Sequence, residues 1–472
     1  MVVTWACCSP PLAIAEVFLP TVLLLLGSLG TQERPNVVFI MADDLGYGDL
    51  GCFGQEQIQT PELDALASRG MRCTNAYAGS TVCAPSRCVL MTGKHAGHAV
   101  IRGNGTMPLP AEEVTLAEVL QQEGYATALF GKWGLGNPGD SGEPTAQGFD
   151  EYFGYLHQGH AHNYYPEFLF RNGEKVMLDN VVPGAYPSGA GKATVKKTYS
   201  HDLFIDESIR FIDEHKDEPF FLYLPLTVPH ANNEAGREGM EVPDLGRYAE
   251  KDWPEPQKGT AAMITRMDSG IGRILERLDA HAISDNTIVI FTSDNGPHRE
   301  GGNNPDFFNS NGPLRGIKRS MHDGGIRVPT IICWPGEIAA GSTSDAPWMF
   351  ADVLPSLAEA TGATAPAGID GVSVLASWRG EEQDLDDRTL YWEFHERGFK
   401  QAARKGNWKA LRNTSKGTPI QLYDLATDIG EDRDVAQAHP EVVAEFEAFF
   451  AQARTPSTRW PGRFPEPVAP TE

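Results

Sequence analysis

From about Arg34 onward the chain alternates short apolar runs with longer amphipathic stretches, and this rhythm limits its fold more than any other feature. Apolar runs at residues 37–41, 126–130, 220–224, 287–291 and 330–333 have strand length. The stretches between them read as helices. At 60–70, Thr60 stands as an N-cap before Pro61, Leu63, Leu66 and Ala67 recur at helical spacing, and Gly70 stops the run. Residues 114–122 and 263–278 repeat that pattern. A strand that is apolar along its whole length must be covered on both faces. The prediction is an α/β fold, with a large, mostly parallel sheet flanked by helices.

Beyond about Thr361 the texture changes. An acidic run at 381–387 is followed by short apolar runs at 390–394, 408–411 and 420–423, separated by turn residues. These predict a small C-terminal antiparallel sheet, with a helix over about 440–453 packed on it. The domain reading is a leader over 1–30, a main domain over 31–387 and a C-terminal subdomain over 388–472. With 472 residues, the chain is long enough for one large core and a smaller one.

Residues 11–29 are nearly all apolar and end in Ser28-Leu29-Gly30, which reads as a signal peptide cut near Gly30. Secretion or export to a periplasm follows from that reading, with a single N-terminal membrane anchor as the alternative. Of seven cysteines, five lie beyond the leader, an odd number, so at least one stays unpaired or serves another purpose. Lys and Arg total 39 against 63 Asp and Glu, a net charge of −24. That balance opposes diffuse binding to nucleic acid or to an anionic membrane face, and any anionic ligand must be held by local cations or a metal.

The run at 37–41 leads into Asp43-Asp44, and the run at 287–291 leads into Ser293-Asp294-Asn295-Gly296. Parallel strands share one carboxyl edge, so Asp43, Asp44, Asp294 and Asn295 can meet there. Three carboxylates and an amide oxygen suit a hard divalent cation, calcium or magnesium, rather than zinc. Either pair alone would more commonly be a helix or turn cap. In the segment Cys83-Ala84-Pro85-Ser86-Arg87, the proline places Cys83 at a helix N-terminus, where amide groups favour an anion, and Arg87 returns one turn later. A lone cysteine in such a place is more often a small buried side chain.

At these residues the sequence resembles the type I sulfatases, the arylsulfatase A-like members of the alkaline phosphatase superfamily. The resemblance spans about residues 35–453. It extends to Ala42-Asp43-Asp44-Leu45-Gly46-Tyr47-Gly48, Gly131-Lys132-Trp133, Val228-Pro229-His230, Ser293-Asp294-Asn295-Gly296 and Leu314-Arg315-Gly316-Ile317-Lys318. It implies an alkaline phosphatase-like sheet and a Cys83 oxidised by a formylglycine-generating enzyme to formylglycine, whose hydrate attacks sulfur. It further implies one calcium ion bound by Asp43, Asp44, Asp294, Asn295 and the modified Cys83. Arg87 would stabilise the hydrate, Lys132 and Lys318 would bind sulfate oxygens, and His230 would face the ester oxygen. A protonated His230 or Lys318 would give the departing alkoxide its proton, and loss of a proton from the second hydroxyl would release sulfate from a covalent sulfo-enzyme.

The reading is thus a sulfatase acting on a sulfated carbohydrate, with a galactose-type sugar expected. The alternatives are a phosphate or phosphonate monoester hydrolase of the same superfamily and a calcium-containing carbohydrate-binding homologue that has lost turnover. His157, His160 and His162, with Asn163, Tyr164 and Tyr165, form a polar aromatic cluster suited to a substrate-pocket wall. Residues 134–139 match Gly-x-Gly-x-x-Gly but contain Pro138 and precede no amphipathic helix, so they read as a loop. Asn104-Gly105-Thr106 and Asn413-Thr414-Ser415 are glycosylation sequons. One departure from the resemblance matters: many sulfatases carry His after Lys-Trp, where this chain has Gly134. His298, four residues beyond Asp294, is the candidate to replace it as the base that releases sulfate, and His98 is the reserve.

Overall fold

The computed structural model describes residues 1–6, 34–385, 387–396, 398–414 and 417–462. The apolar run at 11–29 and its expected end at Gly30 fall within residues 7–33, so the signal peptide and its alternative, a membrane anchor, lie outside the described residues. Among the described residues no helix is long and apolar enough to cross a membrane. Residues 1–33 and 34–472 separate into two units, and the fold belongs to the second.

In chain order its strands are β1 Asn36–Ala42, β2 Met71–Cys73, β3 Ala76–Tyr77, β4 Ala126–Lys132, β5 Glu151–Tyr155, β6 Phe168–Arg171, β7 Glu174–Met177, β8 Phe220–Pro225, β9 Thr287–Ser293, β10 Thr330–Cys333, β11 Ser342–Ser344, β12 Trp348–Met349, β13 Thr389–Phe394, β14 Lys400–Lys405, β15 Trp408–Asn413 and β16 Gln421–Asp424. Its helices are α1 Pro61–Arg69, α2 Cys83–Thr92, α3 Leu116–Gln122, α4 Ser200–His215, α5 Glu255–Ala280, α6 Asp323–Ile326, α7 Val353–Thr361, α8 Leu375–Trp378 and α9 Pro440–Gln452.

Ten strands make one sheet in the order β11-β2-β10-β9-β1-β8-β4-β5-β6-β7. All five predicted runs are strands of this sheet. β9, β1, β8 and β4 pair in parallel at its centre, whereas β10 joins β9 antiparallel. β1 is buried along its whole length. Val37, Phe39 and Met41 enter the core beneath α2, α3 and α7, while Val38, Ile40 and Ala42 enter the core beneath α1, α4 and α5. The period of two in a strand thus divides one apolar run between two layers of helix.

The helix ends show how side chains hold these layers in place. α3 opens with a capping box, in which Thr115 accepts from the Glu118 amide and Glu118 accepts from the Thr115 amide. Thr60 stands before α1 but caps none of its amides. Instead Asp268 of α5 accepts from the amides of Glu62 and Leu63 at 3.2 and 2.8 Å, tying α1 to α5.

The C-terminal sheet is the antiparallel meander β13-β14-β15-β16. Phe446 and Phe450 of α9 pack on it against Tyr391, Ala403, Ala410 and Leu422. Trp392 donates its indole N–H to the Ala78 carbonyl at 2.8 Å, and buried Lys409 lies between Asp323 and Glu431 at 2.5 and 2.9 Å.

Candidate active site

β1 and β9 run side by side in register, Ala42 opposite Ser293, and both end at the same edge of the sheet. The residues that follow are therefore neighbours although Asp44 and Asp294 are 250 positions apart. The Asp294 amide donates to the Ala42 carbonyl at 3.1 Å, and the Asp44 amide donates to Asp294 Oδ1 at 3.2 Å. Asp44 has φ of 66°, a left-handed conformation that costs an ordinary residue free energy and that Asp tolerates better than most. This backbone turn carries Asp43 and Asp44 over the sheet edge.

Three further elements deliver side chains to the same edge. α2 begins at Cys83 after an extended Val82, and its Arg87 follows one turn on. Lys132 is the last residue of β4, and His230 follows β8. Lys318 lies on a loop whose Lys318 amide donates to the Pro297 carbonyl. The sequon residue Asn104 serves the start of α2, its Oδ1 accepting from the Ala84 amide at 3.1 Å.

These side chains are almost wholly removed from water, so their charges must be met within the cluster. Lys132 Nζ lies 2.6 Å from Asp43 Oδ2, and Lys318 Nζ lies 2.8 Å from Asp44 Oδ2. Arg87 donates to Asp294 Oδ2 through Nε at 3.2 Å and a terminal nitrogen at 2.7 Å, and to the Lys132 carbonyl. Asp43, Asp44 and Asp294 are thus balanced by Arg87, Lys132 and Lys318. Cys83 Sγ lies 3.3 Å from Asp43 Oδ1.

Burial opposes the charge of Asp43, but Lys132, Arg87 and Lys318 outweigh it and hold the carboxyl at about 2. Burial and the neighbouring charge of Asp43 raise the Asp294 carboxyl, while Arg87 and Lys132 favour its anion. Burial, Asp294 and Asp43 push the Cys83 thiol well up. His230 is held well below the usual imidazole range by burial and by Lys318. Lys318, despite its burial, is raised by Asp44.

The donor chemistry fits a hard divalent ion. Asn295 Nδ2 donates to Asp44 Oδ1 at 2.6 Å, which sets the Asn295 amide beside the cluster, and its Oδ1 is buried without a hydrogen-bond partner. Ligand atoms of Asp43, Asp44, Cys83 and His230 lie within 4.8 Å of one another. Three carboxylates and an amide oxygen match the oxygen shell of calcium or magnesium. Because the existing charges cancel, a divalent ion would leave an excess of two positive charges, enough to hold a singly charged ester and negative charge developing on it.

His162 lies on this cluster, stacked on His230 with ring centroids 4.9 Å apart. His160 does not join it. Read from the sequence as a wall of the substrate pocket, it is fully buried against Tyr155, Phe168 and Phe170, with burial driving it down to about 3. Tyr164 is also buried, donating to the Thr227 and His230 carbonyls. His298 reaches the cluster edge, 5.7 Å from the His230 ring, but both its nitrogens are engaged. Nε2 donates to the Pro229 carbonyl and Nδ1 accepts from the Glu300 amide, each at 3.0 Å. His98 pairs with Asp370 at 2.8 Å. At Gly134, whose φ is 82°, a Cβ would lie 2.0 Å from Gln158 Nε2, so the Gln158 amide fills that space. Sequence reasoning missed Gln158 and also Glu300, whose only signal was its nearness to Asp294.

The family model for sulfatases matches residues 35–363, and that for the N-sulphoglucosamine sulphohydrolase C-terminal region matches 317–454. The chain is 30% identical to an N-acetylgalactosamine-6-O-sulfatase of Bacteroides thetaiotaomicron, covering 90% of this chain and 94% of the relative. It is 32% identical to human arylsulfatase A, covering 89% and 88%. Among solved structures, Ps i-CgsB superposes with a TM-score of 0.76 at 29% identity, over 88% of this chain and 93% of that one. A match to the family model that extends over most of the chain, together with relatives of this identity and length, shows that the protein belongs to the sulfatase family.

Proposed function

We propose that this sulfatase hydrolyses a sulfate ester of a carbohydrate, with Cys83 converted by a formylglycine-generating enzyme and one calcium ion held by Asp43, Asp44, Asp294, Asn295 and residue 83. The observation that carries this reading is Cys83 at the start of α2, 3.3 Å from Asp43, inside a buried cluster with an unpartnered Asn295 oxygen. When present, the ion supplies fixed positive charge for sulfate oxygens and the aldehyde hydrate supplies the attacking hydroxyl. Arg87, fixed by Asp294 and the Lys132 carbonyl, orients residue 83 and stabilises negative charge there. Lys132 and Lys318 exchange their carboxylate partners for sulfate oxygens. His230 donates from Nδ1 to the Ala231 carbonyl at 2.7 Å, so its Nε2 lone pair faces Lys318 at 3.0 Å. The proton for the departing ester oxygen therefore resides on Lys318 Nζ, and His230 orients it.

A carbohydrate substrate is supported by the N-acetylgalactosamine-6-O-sulfatase relative and by the structure of Ps i-CgsB in complex with k-i-k-neocarrahexaose, 29% identical to this chain. A galactose-type sugar is the proposed unit, and the expected leader would place its hydrolysis outside the cytoplasm. The test pairs sulfate and phosphate esters of one phenol, then a panel of sulfated mono- and disaccharides, on protein whose Cys83 peptide is identified by mass spectrometry. Sulfate preference with formylglycine at position 83 is expected. Fully active protein carrying only unmodified Cys83 would refute the nucleophile, and a phosphate preference would favour the phosphomonoester reading.

A further inference from the structure

Partly exposed side chains border the buried Lys318–His230 pair. Glu300 Oε2 lies 3.2 Å from Lys318 Nζ and 3.6 Å from His230 Nε2. Its other oxygen accepts from Arg319 at 2.7 Å, and Arg319 also reaches Glu396 at 3.3 Å. His162, stacked on the His230 ring, is held by Glu234 at 3.3 Å. The side chains of Lys318 and His230 are 3% exposed, whereas that of Glu300 is 23% exposed and that of Arg319 28%. A sugar delivering its sulfate to Lys132 and Lys318 therefore lays its adjacent substituents against Glu300 and its neighbours.

There Glu300 and Glu396 stand with one guanidinium between them, Arg319 bridging the two carboxylates. Lys318 and Arg319 outweigh the effect of burial and hold Glu300 down at about 2, so it is an anion at any working pH. Its backbone amide is pinned to His298, which fixes where the carboxylate stands. A hydroxyl on the carbon beside the ester would find an acceptor in Glu300. A second sulfate there would meet like charge in a half-buried site, where repulsion is poorly screened.

Resting on the carbohydrate reading, we infer that Glu300 is a specificity-determining residue, selecting sugars whose scissile sulfate is flanked by free hydroxyls and rejecting those with a second sulfate on the adjacent carbon. The test compares kcat/KM for a monosulfated monosaccharide and its vicinally disulfated counterpart, in wild-type enzyme and Glu300→Gln. Wild type should prefer the monosulfated sugar by about 100-fold, within the range that a misplaced polar group produces. Because Glu300 touches Lys318, the variant will be slower on both sugars, so the ratio is the readout, and it should shrink about tenfold. Equal use of the two sugars by wild type, or an unchanged ratio in Glu300→Gln, overturns the inference. The wild-type comparison tests it even where the variant does not fold. Hydrolysis of an aryl sulfate with no action on any sulfated sugar would overturn the carbohydrate reading and this inference together, a pattern distinct from a lost preference among sugars.

Discussion

The ammonium of Lys318 lies 3.0 Å from Nε2 of His230, while Nδ1 of the same imidazole is committed to the Ala231 carbonyl at 2.7 Å. One imidazole nitrogen is thus a donor to backbone and the other an acceptor from lysine, so in the proposed reaction the transferable proton is the one on Lys318.

Lys318→Ala should therefore lower kcat/KM by about 10²–10⁴-fold, the range for loss of a general acid. The loss should be larger for sugar sulfates than for nitrophenyl sulfate, whose phenolate departs without a proton. A series of esters with graded leaving-group acidity measures this. Equal losses across the series would remove the proton from Lys318.

The Asn295 amide stands against Asp44, its nitrogen on the carboxylate and its buried oxygen unpartnered. Metal analysis is expected to find one calcium per chain. Chelation should abolish turnover and added calcium restore it, and Asp44→Asn or Asp294→Asn should lose most of both metal and activity. Stoichiometric zinc, retained by both variants, would contradict the assignment.

His298 braces the Pro229 carbonyl and the Glu300 amide, and neither ring nitrogen is free to take the proton that releases sulfate. His298→Ala is expected to slow turnover without accumulating sulfated enzyme, as read by mass spectrometry of rapidly quenched reactions. A burst of alcohol followed by a stalled, sulfated protein would instead restore His298 as the base. The Gln158 amide, over Gly134, has no acceptor lone pair on its nitrogen, so it can orient a hydroxyl but cannot deprotonate one.

Glu393 ties the C-terminal sheet to the main body through Arg102 at 3.1 Å, and is also met by Arg454 at 3.0 Å and His395 at 2.9 Å. Burial works against its charge, but His395, Arg102 and Arg454 prevail and lower it from 4.5 to about 2. Its stabilisation is complete above pH 4.5 and is lost as pH falls through about 2. Glu393→Gln should cost about 3–5 kcal/mol near neutral pH, as expected for breaking a buried ion pair. Urea unfolding at stepped pH should show a flatter acid limb for the variant. An unchanged limb would place the acid sensitivity elsewhere.

The central strands were legible because a run such as Val38-Phe39-Ile40 has no polar position to expose, and the edge cluster was legible because Asp43-Asp44 and Asp294-Asn295 follow two such runs. The direction of β10 was not, since a strand buried on both faces reads the same parallel or antiparallel. β14 escaped notice because Lys400, Arg404 and Lys405 mask its buried Ala402 and Ala403. α4 went unread although Phe204, Ile205, Phe211 and Ile212 recur at helical spacing. Burial of His160 was invisible because its partners Phe168 and Phe170 belong to a hairpin the sequence pattern did not reveal.

β1 lies between β8 and β9, and this order sets a timetable for synthesis. A nascent chain that has emerged as far as Pro225 holds β1, β8 and β4, but the flank of β1 that β9 will occupy is a bare apolar edge of the kind that recruits strands from other chains. It stays bare while the 26 residues of α5 are made. The arrival of β9 closes that edge and, in the same event, sets Asp294 beside Asp44. Cover for the β1 edge and assembly of the acidic cluster are thus a single step, so a lesion that delays β9 would be seen first as insoluble protein rather than as an inactive enzyme.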